Sequence, residues 1–325
     1  MANQVTIAGA GEIEQARRTV ANPAHSYLAG LAATGRRTMT STLAQVAAML
    51  GGELDTIPWA ALRYEHVQAL RTKLAERGLA AATVNKYMAA LRGVAREAWQ
   101  LGLTDAETYQ RIAAVKGVHG ETLPSGRGLG PGELGALMRT CANDRSAAGA
   151  RDAAIIALGY GAGLRRAELA GLDLADLADD GELITAKVAG KGNKERLVYL
   201  DNGAAQALRD WLGVRGVEPG ALFYSGLRGG HMVAGQRMTG QAIRNMLAKR
   251  AADAGIENAT PHDLRRSFVS DLLESGIDIA TVANMAGHAN IETTRRYDRR
   301  GEQAKRKAAR SLHIPYQKRG LGLER

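Results

Sequence analysis

Tyr297 stands in the stretch HANIETTRRYDRR, His288 to Arg300, among four arginines and nine positions after His288. A phenol there could stack on a base, fill a core or attack a phosphorus atom. A free tyrosine has a pKa of about 10 and attacks poorly at neutral pH. Attack on a phosphodiester therefore needs help with three charges: the phenolate, the pentavalent phosphate and the departing alkoxide. Arginines and histidines serve the phosphate, a general base the phenol and a general acid the leaving oxygen. The chain offers each type. GAGLRRAEL (Gly161 to Leu169) places Arg165 where one helix ends and the next begins, so its charge adds to the free N–H groups of a helix start. Glu168, three residues on, can orient the guanidinium. PHDLRRSF (Pro261 to Phe268) sets His262 and Arg265 on one face of a helix, with Leu264 and Phe268 as the opposing apolar contact. In such a pair the arginine grips two oxygens and the histidine handles a proton. Lys191 lies between Gly190 and Gly192 at the tip of GKGNK, where backbone can approach a ligand closely and neighbouring cations would lower the pKa of a proton donor. Lys194 is a second candidate for that role.

These side chains must be held by two kinds of element. Residues 23–116 read as a small all-α bundle. Within Thr83 to Gln100, Val84, Tyr87, Met88, Leu91, Val94, Ala95, Ala98 and Trp99 follow the helical period and share one face. Lys86, Arg92 and Arg96 fall off that stripe, on a back that either faces solvent or meets phosphates. Thr40 to Leu50 and Tyr64 to Ala75 read as shorter helices. Residues 117–132, GVHGETLPSGRGLGPG, carry six glycines and two prolines and read as a linker. Residues 133–300 form a mostly α domain with a small antiparallel sheet. Pro131 opens its first helix, Arg151 to Tyr160 is a buried helix, and Leu183 to Val188 with Arg196 to Leu200 are strands joined by AGKGNKE. Asp278 caps a helix bearing Ile279, Val282, Met285 and Ala286, and Gly287 ends it. Asn290 caps a second helix expected to hold Thr293, Thr294 and Tyr297. Residues 1–22 read as a flexible start. AGAGEIEQ within them lacks the third glycine and the βαβ unit of a dinucleotide site.

The 325 residues carry a net charge of +10, which suggests a polyanionic partner. Up to Lys116 there are 13 basic against 9 acidic residues, and 30 against 24 after it, so both halves are basic. Cys141 is the one cysteine, which excludes an intramolecular disulfide and a cysteine-type zinc site. No apolar run approaches the ~20 residues of a membrane span, and no signal-peptide pattern opens the chain. The expected location is the cytoplasm, at the nucleoid when DNA is bound, with no metal and no cofactor.

From the residues alone two readings stand. In one, a helix-turn-helix places Arg295, Arg296, Arg299 and Arg300 against a groove and Tyr297 merely packs. In the other, Tyr297 is a nucleophile and His288 a phosphate ligand. A simple DNA reader has no use for a lysine on a glycine hairpin 106 residues before that tyrosine. GLRRAEL, GKGNKERLVYL, HDLRRSF and MAGHANIETTRRY, in that order, resemble the signature boxes of the tyrosine recombinase (phage integrase) family over Leu129 to Arg300. Residues 23–116 are similar to that family's helical core-binding domain.

The resemblance implies that Arg165 and Arg265 clamp the scissile phosphate, that Lys191 protonates the 5′-oxygen, and that His262 handles the proton of Tyr297. It places His288 at the family's His/Trp position and Glu168 behind the first arginine. Lys86, Arg92, Arg96, Lys194, Arg266 and Arg295 are the other expected DNA contacts. The product would be a 3′-phosphotyrosyl link and a free 5′-hydroxyl, resealed without ATP or metal through a Holliday junction. The short segment before residue 23 suggests a simple type without an arm-binding domain, acting on double-stranded DNA with inverted half-sites. A homo-tetramer on two sites is implied, a monomer or weak oligomer when free, with the tail 301–325 exchanged between subunits. A topoisomerase IB-like enzyme or telomere resolvase shares the phosphotyrosine step and stays an alternative.

Overall fold

The computed structural model describes residues 22–120, 127–190, 195–226, 231–295, 297–298, 309–310 and 315. Two compact units are present, Met1–Leu123 and Pro124–Arg325.

The first unit is all helical: α1 (Pro23–Ala29), α2 (Ala33–Met49), α3 (Tyr64–Glu76), α4 (Ala81–Gln100) and α5 (Ala106–Ala113). α4 is its centre, and α1, α2, α3 and α5 pack around it. The expected stripe Val84, Tyr87, Met88, Leu91, Val94, Ala95 and Ala98 is buried, joined by Ala90. Trp99 departs from expectation: it is 42% exposed and stacks on Tyr109 at 5.2 Å. One residue from the helix end, the indole has a neighbour on α5 and no core to enter. α2 begins at Ala33, seven residues before the expected Thr40. Its first turns are largely exposed and lack apolar periodicity, but Arg36 reaches back to bond the carbonyls of Leu28, Ala29 and Leu31. Gly117 and Val118 are tied to this unit: Arg71 bonds the Gly117 carbonyl, and Asn85 bonds both the N–H (2.8 Å) and the carbonyl (3.0 Å) of Val118.

The second unit runs α6 (Pro131–Asn143), α7 (Ala147–Gly161), α8 (Arg166–Gly171), β1 (Leu177–Asp179), β2 (Ile184–Ala189), β3 (Glu195–Leu200), α9 (Asn202–Arg215), β4 (Tyr224–Gly226), β5 (Met232–Arg237), α10 (Gly240–Asp253), α11 (Pro261–Glu274), α12 (Ile279–Ala286) and α13 (Ile291–Arg295). α7 is the buried axis, with α6, α9, α10 and α11 against it. Its ionic end is closed internally: Arg250 pairs with Asp152 and Asp144, and Arg151 with Asp152. Strands β1, β2 and β3 form one antiparallel sheet, with Ile184 opposite Leu200 and Ala189 opposite Glu195. β1 and the β4–β5 pair lie outside the sequence expectation. β1 has three residues, and no position of β5 is buried, so neither shows an apolar alternation.

A smaller core forms beside the main one, from Phe268, Val269 and Leu273 of α11 and Val282 and Ala286 of α12. Tyr297 packs against it, so the hydrophobic contact that joins these two helices also seats the phenol. No described helix is long and apolar enough to cross a membrane.

Candidate active site

Arg165 caps the start of α8. Glu168 reaches back to it twice, accepting from the Arg165 backbone N–H at 2.8 Å and from its guanidinium at 2.7 Å. The N–H expected to meet an anion is thus occupied, and the guanidinium is the group left to bind. Its side chain is 40% exposed, against 5% for Glu168. Nη2 of Arg165 donates to the carbonyl of Gly287 at 2.7 Å, which brings the first box against the turn that holds His288.

Glu168 also binds Arg196, through Nη1 at 3.1 Å and Nη2 at 2.9 Å, while Nε of Arg196 donates to the Met285 carbonyl at 3.1 Å. Sequence reasoning missed Arg196. The signal was present: on β3 it shares the inward side with buried Val198 and Leu200, and an inward arginine needs a partner. Through it the base of the β2–β3 hairpin is tied to the carboxylate that holds Arg165. Lys191 and Lys194, between β2 and β3 in the sequence, lie outside the described residues.

α11 carries the histidine and second arginine of the pair. Pro261 opens it, and Thr260 and Asp263 form a reciprocal cap. Arg265 is 3% exposed, and its Nη1 donates to the Gly163 carbonyl at 2.5 Å. Gly163 itself has φ +61°, and a Cβ there would lie 2.4 Å from Cδ1 of Phe268. Gly163→Ala is therefore expected to destabilise the fold by about 2–5 kcal/mol, summing left-handed backbone strain and overpacking. Urea denaturation checks this, and a wild-type midpoint would show that the loop relaxes freely.

Asp278 caps α12 as expected, accepting from Ala280 and Thr281, and Gly287 ends it in the left-handed conformation (φ 64°). Tyr297 is not on the second helix. α13 stops at Arg295, and Tyr297 follows in a turn closed by its N–H to the Thr294 carbonyl at 2.9 Å. The phenol is released from the helical period and turned onto α11. Its hydroxyl stands 3.2 Å from Nε2 of His262. His288 lies nearly parallel to its ring, with centroids 6.2 Å apart, and Nδ1 of His288 meets the Thr294 hydroxyl at 2.7 Å.

Burial and, after it, like charge set the titration of this cluster. Burial, then the neighbouring Arg165, holds the Arg265 guanidinium down at about 10, with Glu168 opposing. Nη2 of Arg265 is buried without a hydrogen-bond partner among the described residues. Burial followed by Arg265, Arg165, His262 and Arg196 lowers His288 to about 4. Burial, then Arg266 and Arg265, lowers His262 as well, so both rings are neutral near pH 7. For Glu168 burial acts upward, but the bonds from Arg196 and Arg165 outweigh it and hold the carboxylate ionised. No group of acidic, histidine or cysteine side chains among the described residues is arranged to hold a metal ion.

The remaining expected DNA contacts divide. Arg266 is 5% exposed and lies 5.4 Å from the centroid of the Tyr297 ring. Arg92 is committed within its own unit, bonding the Val115 carbonyl. Lys86 sits over the Tyr87 ring at 5.5 Å, and Arg96 is exposed. Arg295 is exposed and paired with Glu292.

The site has relatives. Residues 128–303 match the sequence model of the phage integrase family. The tyrosine recombinase XerC of Corynebacterium glutamicum is 32% identical over 225 residues, 68% of this chain and 69% of that protein. XerC of Chromohalobacter salexigens is 35% identical over 246 residues, 74% and 77% of the two chains. Among solved structures, the Tn1549 transposon integrase in complex with transposon right end DNA aligns with a TM-score of 0.61 at 19% identity, covering 90% of this chain and 99% of that one. A lambda integrase dimer bound to a core site aligns at 0.61 and 15%, with the same coverage. By the family match and the XerC similarity, the chain belongs to the phage integrase family of tyrosine recombinases.

Proposed function

We propose that the protein is a site-specific DNA recombinase that cuts and rejoins strands through a 3′-phosphotyrosyl intermediate. The observation that carries this reading is the unsatisfied Nη2 of Arg265, on a guanidinium crowded by Arg165 beside the Tyr297 hydroxyl. A phosphate supplies both the acceptor and the negative charge that this arrangement needs. Nη2 is shielded from solvent, so a covering side chain must yield as DNA engages. Tyr297 Oη attacks phosphorus while its proton passes to Nε2 of the neutral His262. The bond to the 5′-oxygen breaks, and that oxygen takes a proton from Lys191. Arg165, Arg265 and His288 donate to the non-bridging oxygens as charge builds. The phosphodiester energy is retained in the tyrosyl ester, so attack by another 5′-hydroxyl reverses the chemistry without ATP or metal. Exchange between two sites of inverted half-sites proceeds through a Holliday junction in a four-subunit assembly, with the tail passed between neighbours. Support for a DNA partner comes from the XerH structure with palindromic difH, 22% identical with a TM-score of 0.60, and from the integrase complexes above.

The competing helix-turn-helix reading loses ground on geometry. α13 has five residues, too short for a recognition helix, and Thr294 faces the interior. A duplex nicked next to the cut site, so that the released fragment diffuses away, distinguishes the outcomes. Protein trapped covalently at a selected site supports the recombinase. Binding with no adduct under any substrate design points to a regulator, and relaxation of any supercoiled plasmid points to a topoisomerase.

A further inference from the structure

Thr294 has no part in the reaction as set out above, yet it is fully buried at 0% exposure. A buried hydroxyl needs a partner, and the one it meets is Nδ1 of His288, at 2.7 Å. Its carbonyl meanwhile closes the turn that presents Tyr297. We propose that Thr294 is a positioning residue: its hydroxyl donates to Nδ1, fixes His288 in the tautomer with the proton on Nε2, and ties that ring to the Tyr297 turn. The proposal rests on the reading of His288 as a phosphate ligand.

A neutral imidazole has one donor and one acceptor nitrogen. The groups that act on His288 are Arg265, Arg165, His262 and Arg196, from α11, the start of α8 and β3, and these with burial keep it uncharged. An uncharged ring helps a phosphate only if the nitrogen facing the anion bears hydrogen. Were Nδ1 protonated and bonded to the threonine oxygen, the other nitrogen would offer a lone pair to phosphate oxygens. The threonine hydroxyl can rotate to donate, and donation leaves Nε2–H as the free donor. The ring is held further by its stack on Tyr297, so tautomer and orientation are set together. A valine would fill the same space without the hydroxyl, which makes the role separable from packing.

Nitrogen-15 spectra of the histidine rings of the full-length protein, without DNA and at neutral pH, read the tautomer directly. A bare Nδ1 and protonated Nε2 at His288 are expected; a protonated Nδ1 overturns the proposal whether or not the protein recombines DNA. Thr294→Val is expected to slow covalent trapping on the nicked duplex by about 10- to 100-fold at saturating DNA, as loss of an orienting partner does elsewhere. Thr294→Ser should restore most of the rate. In a His288→Trp background, where the indole N–H is a donor with no tautomer to set, adding Thr294→Val should cost no further rate. An equal loss in both backgrounds would show that Thr294 acts through packing and refute the assignment. Unimpaired trapping by His288→Phe would remove the phosphate role itself, an outcome distinct from a wrong tautomer. Should Thr294→Val fail to fold, the wild-type spectra and the serine variant still decide.

Discussion

Tyr297→Phe is expected to abolish covalent capture of a nicked duplex, by at least about 10⁴-fold, while duplex affinity stays close to wild type. The variant removes one oxygen. The ring keeps its seat on the small core of Phe268, Val269, Leu273, Val282 and Ala286, and keeps Arg266 over its face. His262 loses the hydroxyl that stands 3.2 Å from its Nε2. Denaturing electrophoresis on labelled DNA measures the adduct, and a mobility shift measures binding. An adduct that persists would move the nucleophile to another residue, such as the exposed Tyr199, and the site built here would not be the catalytic one.

Arg265→Met is expected to separate rate from stability. In the proposed mechanism the guanidinium is one of two that meet charge on the phosphate, and loss of one such stabiliser costs about 10²–10³ in rate. The fold should barely notice. Removing the donor orphans the Gly163 carbonyl, at about 1–3 kcal/mol. Against this, a buried cation held from 12.5 down to about 10 is released from burial and from the repulsion of Arg165. At roughly 1.4 kcal/mol per pKa unit the relief is of similar size. The melting temperature should therefore shift by less than about 4 °C, the equivalent of roughly 1 kcal/mol in a domain of this size. Single-turnover trapping and a thermal melt test the two halves. A wild-type rate would contradict the phosphate assignment. A melt lowered by 10 °C or more, beyond this bound of about 4 °C, would show that Arg265 is there chiefly to hold the fold.

Arg165 and Arg265 illustrate why such a site is poised. Like charges packed together are unfavourable until an anion arrives, so part of the binding energy of DNA is relief of repulsion already present in the free protein. Glu168 keeps that repulsion tolerable. It neutralises from behind, binding Arg165 and Arg196, and leaves the Arg165 face toward solvent open.

The features set by neighbours along the chain could be read from the residues alone. Pro131 and Pro261 open helices, Asp278 caps α12, Gly287 closes it, and the α4 stripe follows its period, because each depends on backbone geometry within a turn or two. The candidate site residues were proposed for a related reason: the chemistry of a phosphodiester asks for those types, and they occur in short ordered boxes. Folding decided what depends on distant partners. Arg196 meets Glu168 across 28 positions, and Arg165 meets the Gly287 carbonyl across 122. Arg266 is buried against the Tyr297 ring, and Trp99 stays outside the core its period pointed to. Above all, Tyr297 left the helix its spacing implied. The periodic pattern of a peptide describes which side chains share a face, but where a helix stops beside a buried threonine, and what the next residue then touches, is settled by packing between elements.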